Sequence, residues 1–192
     1  QVMDSIDRFD PFNNRLCRNV RNALSEAFAA AVESKDLRPV TDVVRAFGDQ
    51  PLPDCVSDYL RRRLGAYEAV LMQLDAVAPA DPLAVALVIW DRRLFFETHE
   101  YLEQHWKSAT GDDKRLFQAL IRAAGAYVHL EQGNRSAAER IAGKAIAGLL
   151  HVKQRLAVYT DPQHLIDKLK SLDPVPPMLS GTADPGASAS RR

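Results

Sequence analysis

Apolar residues recur along this chain at spacings of three and four, interrupted by prolines and glycines. Leu16, Val20, Leu24, Ala27, Phe28 and Ala31 form the first such stripe. Residues so spaced share one face of a helix. Val56, Leu60, Leu64, Tyr67, Leu71 and Leu74 form a second stripe, in a helix predicted to start near Pro53. Between them the pattern predicts a helix over about Pro39 to Phe47, closed by Gly48. The pairs Asp10-Pro11, Asp81-Pro82 and Asp161-Pro162 read as helix starts. The carboxylate can accept from free first-turn N–H groups, and proline needs no donor there.

From Asp81 the chain reads as helical through Trp106, with a break near Trp90. A further helix is expected from about Asp113 to Glu131, stopped by Gly133-Asn134, and an alanine-rich one from about Ser136 to Tyr159. A short helix follows Asp161. No segment alternates with period two between turns, so no sheet is assigned. The expected fold is all-α, an antiparallel bundle of about six or seven helices. Residues 1–80 read as an N-terminal helical extension packing on the core, residues 81–172 as the principal helical domain, and residues 173–192, proline-rich and then small and polar, as a disordered tail.

Composition narrows the function classes. The 192 residues carry 25 Lys plus Arg against 25 Asp plus Glu. A neutral balance gives no electrostatic footprint for nucleic acid. The longest apolar stretch, Pro82 to Trp90, is far short of the ~20 residues that span a bilayer, so no membrane partner is expected. The polar, acidic start, Gln1 to Asp10, does not read as a signal peptide. Cys17 and Cys55 lie in separate helical patterns without ligand spacing, and read as small buried hydrophobes in a reducing cytoplasm. Arg61, Arg62 and Arg63 point in three directions on a helix and read as solvated charge.

Candidate chemistry concentrates in the second half. On a helix from Leu94 to Trp106, Trp106, Phe95, Phe96, Glu103 and Leu102 all fall within roughly 60° of His99. The aromatic residues suggest that this face is buried, with Glu100 at its edge and Glu97, Tyr101 and His105 pointing away. On the next helix, Gln118, Arg122 and His129 share a face with the small residues Gly125 and Ala126. A short loop predicts antiparallel packing of the two helices, so His99, Glu103, Gln118, Arg122 and His129 are expected to form one buried network. His105, His151 and His164 fall outside it and read as surface or interface histidines. No P-loop, GxGxxG, GxSxG or HExxH motif occurs.

The string FFETHEYLEQHW, then FQALIRAAGAYVHLEQGN and AAERIAGKAIAGL, resembles the prokaryotic family called domain of unknown function 309. The matching positions are Phe95, Phe96, Glu97, His99, Glu100, Glu103, Trp106, Gln118, Leu120, Ile121, His129, Gly133 and Asn134. The resemblance covers roughly Ala84 to Leu150. It implies an all-helical fold and a metal-dependent hydrolase activity.

Two function classes follow from these residues. The favoured one is a structural network or a small-ligand or protein-binding module, because Arg122 already supplies a counter-charge to Glu103 and a fixed cation disfavours a metal nearby. Glu97, Gln118, Arg122 and Asn134 are its candidate binding residues. The partner is an unknown small ligand or protein, or a second copy of the chain in a homodimer. The alternative is an enzyme with zinc or manganese held by His99, Glu103 and His129, and with Glu100 or Glu97 as general base.

Overall fold

The computed structural model of the chain describes residues 7–74 and 81–181. Among these residues there are nine helices and no strand: α1 (Arg15–Ser34), α2 (Arg38–Gly48), α3 (Asp54–Leu74), α4 (Pro82–Asp91), α5 (Phe95–Trp106), α6 (Gly111–Glu131), α7 (Arg135–His151), α8 (Lys153–Leu156) and α9 (Pro162–Ser171). The all-α expectation holds. The count exceeds six or seven because the stretch from Asp81 to Trp106 does break just after Trp90, as expected, and the expected helix from Ser136 to Tyr159 is divided. Arg93 adopts a left-handed φ of 58° between α4 and α5, and the chain leaves α7 at Val152 before the single turn of α8. Among the described residues, no helix is long and apolar enough to cross a membrane. Neither Cys17 nor Cys55 is in a disulfide.

The chain divides into two compact units, one through residue 76 and the other from residue 77. In the first, α1 packs on α2 and α3. The predicted stripe is its core except at its first position: Val20, Leu24, Ala27, Phe28 and Ala31 are buried together with Cys17, while Leu16 is only half-buried, and Phe28 stacks on Tyr67 with ring centroids 4.2 Å apart. Asp10-Pro11 makes a turn instead of a helix start. The Asp10 carboxylate accepts from the backbone N–H groups of Phe12 and Asn13, and Asn14 caps α1 by accepting from the Cys17 N–H.

In the second unit the other two Asp-Pro pairs do start helices. Asp81 accepts from the Leu83 N–H at 2.9 Å and Asp161 from the Gln163 N–H at 2.9 Å. Helix α4 is buried along almost its whole length, from Leu83 through Trp90, as expected of a helix apolar on every side. Trp90 meets Phe95 and Tyr127 in a cluster of edge-on and stacked rings, with centroids 4.9 to 5.3 Å apart. α5 packs on α4 and α6, and α7 packs on α6 and α9. Helices α6 and α7 run antiparallel: Gly125 faces Ile141, while Gly148, further along α7, faces Ala119, further back on α6.

The expectation of a disordered tail from residue 173 fails for residues 173–181. Leu179 is fully buried. The Trp90 indole N–H donates to the Pro177 carbonyl at 2.9 Å. The Asp91 carboxylate accepts from the Leu179 N–H at 2.6 Å, the Ser180 N–H at 2.8 Å and the Ser180 hydroxyl. A buried indole N–H needs an acceptor, and the last carboxylate of α4 offers two oxygens to a passing backbone. These two groups hold a segment whose composition alone reads as unfolded. Residues 182–192 lie outside the described residues.

Candidate functional site

Helix α5 presents its faces differently from the wheel drawn on its aromatic residues. Phe95, Thr98 and Leu102 form the buried stripe, with Glu97 and Tyr101 buried beside them. Phe96 and Trp106 are only half-buried. Trp106 lies at the edge, where Lys114 places its ammonium over the indole ring, 4.7 Å from the centroid. The Thr98 hydroxyl satisfies itself locally by donating to the Leu94 carbonyl at 2.9 Å. The buried face is therefore turned by about one residue, roughly 100°, from the expected one. His99 and Glu103 are not buried: their side chains keep 32% and 47% of their exposure.

This rotation brings three side chains together at the surface. The His99 Nδ1 atom is 3.2 Å from Oε1 of Glu100 and 3.9 Å from Oε2 of Glu103, one turn further on. The three residues each offer a ligand atom within 4.8 Å of the others, the one such group of His, Cys, Asp or Glu among the described residues. His129, the third member of the sequence-derived ligand set, is not in it. His129 sits half-buried near the end of α6, where burial and then the charge of Arg140 hold its imidazole below the usual histidine range.

The expected ion pair between Glu103 and Arg122 does not form. Among the described residues Glu103 makes one ionic contact, with His99. Arg122 and Gln118 line a groove between α6 and α7 instead. The buried network of five residues is thus dissolved into separate places. The physical reason lies in the small residues of α6. Their face receives α7, not α5, so the polar residues that share it follow α7. Asn134 has a structural task, capping α7 by accepting from the Ala137 N–H at 3.3 Å. Glu97 is buried at 1% exposure, on the core side of α5 and away from the His99 face.

Sequence reasoning placed Glu100 at the edge and assigned it a proton-transfer role, whereas its carboxylate lies in the donor group. It also passed over Arg115 and Lys144, and set His151 aside as a surface or interface histidine, though all three line the groove with Gln118 and Arg122. A legible signal existed for these. No carboxylate occurs from Lys114 to Leu130 or from Arg140 to Thr160, although the whole chain is neutral.

Fold and side chains together define an all-helical domain with an exposed His/Glu donor group on one helix of an antiparallel array. Residues 83–141, from α4 into the first turns of α7, match the family model described as Domain of unknown function (DUF309). No curated protein and no solved structure matches the chain.

Proposed function

We propose that this domain binds a divalent cation through His99, Glu100 and Glu103, and that metal-dependent hydrolysis is the chemistry the site serves. The observation that carries this reading is the convergence of one imidazole nitrogen and two carboxylates on one exposed turn of α5. A tetrahedral shell with bonds of about 2.0–2.2 Å separates its ligand atoms by about 3.3–3.6 Å. The separations of 3.2 and 3.9 Å from His99 to its two neighbours bracket that range. Small side-chain rotations suffice to close the set.

The displacement of Arg122 removes the main argument against an ion here. With Arg122 in the α6–α7 groove, Glu103 makes no ion pair with a guanidinium among the described residues, and its acceptor oxygens can turn to a cation. Three donors from a single helix hold one side of an ion and leave the other side to water and substrate. A bound ion of this kind lowers the pKa of its water toward neutrality. One nitrogen and two oxygens suit zinc or manganese.

The test is metal content of the untagged chain after equilibrium dialysis against zinc, and separately against manganese. About one ion per chain is expected for the native protein. The His99→Ala variant should lose it while keeping its helical circular dichroism. Equal metal uptake by native and His99→Ala protein, or none by either, would end the reading.

A further inference from the structure

The helices that match the family model also build one wall of a second feature, which extends beyond the matched residues. The groove between α6 and α7 encloses about 780 Å³, within the ~300–1,000 Å³ typical of small-ligand sites. Its floor is made of small residues: Gly148 lies so close to α6 that a Cβ there would sit 3.0 Å from that of Ala119. Its walls carry Arg115, Gln118 and Arg122 from α6, and Lys144 and His151 from α7, with no carboxylate among the lining residues.

The charge of these walls is only partly compensated. Elsewhere in the chain exposed cations take a carboxylate three residues away on the same helix, as Arg45 does with Asp42 and Arg61 with Asp58. Arg115 does so with Asp112 at 2.9 Å, in a pair exposed on both sides, and such pairs hold their partners weakly. Arg122, Lys144 and His151 make no hydrogen bond or ion pair among the described residues, and no carboxylate lies in the sequence from Lys114 to Leu130 or from Arg140 to Thr160 to serve them. Like charges facing one another across a groove repel, and an anion placed between them reverses the sign of that interaction.

The helix register fixes the spacing. Ala119 lies against Gly148, which in an antiparallel pair sets Arg122 level with Lys144 and Arg115 level with His151. Arg115 and Arg122 are seven residues apart, as are Lys144 and His151. Seven residues of helix rise about 10 Å. Basic groups therefore stand at each end of the groove, with the amide of Gln118 between them. One compact anion can engage only one end. A linear anion with charge at both ends can engage both, and Arg suits phosphate oxygens because its guanidinium donates two parallel hydrogen bonds.

We propose that this groove binds a small linear polyanion of the oligophosphate class. A nucleic-acid strand shares the phosphate chemistry but fits less well. The groove lining holds no Phe, Tyr or Trp on which a base could stack, and the chain as a whole has no excess of positive charge. The proposal is independent of the metal site on α5.

Calorimetric titration of the full chain, in metal-free buffer at physiological ionic strength, tests it with inorganic tripolyphosphate, inorganic orthophosphate and a single-stranded oligonucleotide. Tripolyphosphate should bind once per chain and at least about tenfold more tightly than orthophosphate, because it reaches both ends. The double variant Arg122→Ala/Lys144→Ala should weaken tripolyphosphate by at least about tenfold with its helical circular dichroism intact. The control Arg61→Ala/Arg62→Ala removes the same charge from the other unit and should leave binding unchanged. Absence of tripolyphosphate binding, equal affinity in the groove variant, or an equal loss in the control would overturn the proposal. Tighter binding of the oligonucleotide, lost in the groove variant, would replace the small anion with a nucleic acid.

Discussion

At the scale of single residues, burial decides what a polar group does, and His129 shows this in a measurable way. It sits in the last turn of α6, where the helix dipole favours a charged imidazole. Burial opposes that charge and wins, with Arg140 adding to the effect, so the folded pKa falls below its ordinary value of 6.5. Between the lowered folded value and the unfolded one, the unfolded chain binds more protons than the folded chain. The contribution of neutral His129 to stability is therefore present above about pH 6.5 and lost as pH falls through the folded pKa. Urea unfolding at several values from about pH 7.5 down to pH 5 should show stability declining with acidity, and His129→Asn should flatten the decline. An unchanged slope in that variant would assign the effect to other groups. The same rule explains why the sequence singles out His99, Glu100 and Glu103 by type yet sets His129 beside them and misplaces their surroundings. His99, Glu100 and Glu103 are marked by residue type and spacing, which a sequence states directly. Their exposure depends on which aromatic residues lie in the core. Phe95 does, whereas Phe96 and Trp106 lie at its edge, and residue type does not separate these cases.

At the scale of elements, the helices themselves were legible because stripes, Asp-Pro starts and glycine stops are local signals. The partner of each helix face was not, because it is set by which neighbour arrives. The face of α6 with Gly125 and Ala126 announces a close approach, and the structure supplies α7 where α5 was expected. Two glycines of α7 separate propensity from packing. Nothing lies within 4 Å of where a Cβ would be on Gly143, while at Gly148 the Ala119 Cβ would be 3.0 Å away. Gly143→Ala should stabilise the fold by about 0.5–1 kcal/mol, since glycine is a poor helix former and no contact is disturbed. Gly148→Val should destabilise it by about 1–3 kcal/mol, because the added methyl groups drive α6 and α7 apart. Denaturant midpoints of the two variants check both signs. Destabilisation by Gly143→Ala would mean that its open side is covered by something else, and a neutral Gly148→Val would mean that the pair of helices is not tightly seated.

At the scale of the whole molecule, two compact units carry different kinds of sequence information. The first is readable in most of its core positions, since Val20, Leu24, Ala27, Phe28 and Ala31 of the predicted stripe are buried, although Cys17 takes the place expected of Leu16. The second contains a contact that composition argues against. A segment with prolines at 174, 176 and 177 looks unable to fold, and taken alone it has too little apolar surface to order itself. It is ordered because α4 presents two waiting groups at its end, the indole of Trp90 and the carboxylate of Asp91. Such long-range rescue, across 87 and 88 positions, leaves no local trace in the sequence. It does leave an energetic one. Ending the chain after Asp173 removes the fully buried Leu179, strands the indole N–H in the core and deprives Asp91 of its donors. Burial of one leucine contributes about 2 kcal/mol, and an orphaned buried donor costs about 1–3 kcal/mol. The truncated chain should therefore unfold several degrees below the full chain in a thermal melt, with Trp90 fluorescence shifted to the red as water reaches the ring. Asp91→Ala in the full chain should lower the melt by a smaller step, because Leu179 can stay in place. If truncation leaves both the melting temperature and the fluorescence unchanged, the segment after Asp173 is not part of the core, and the reading from composition was right.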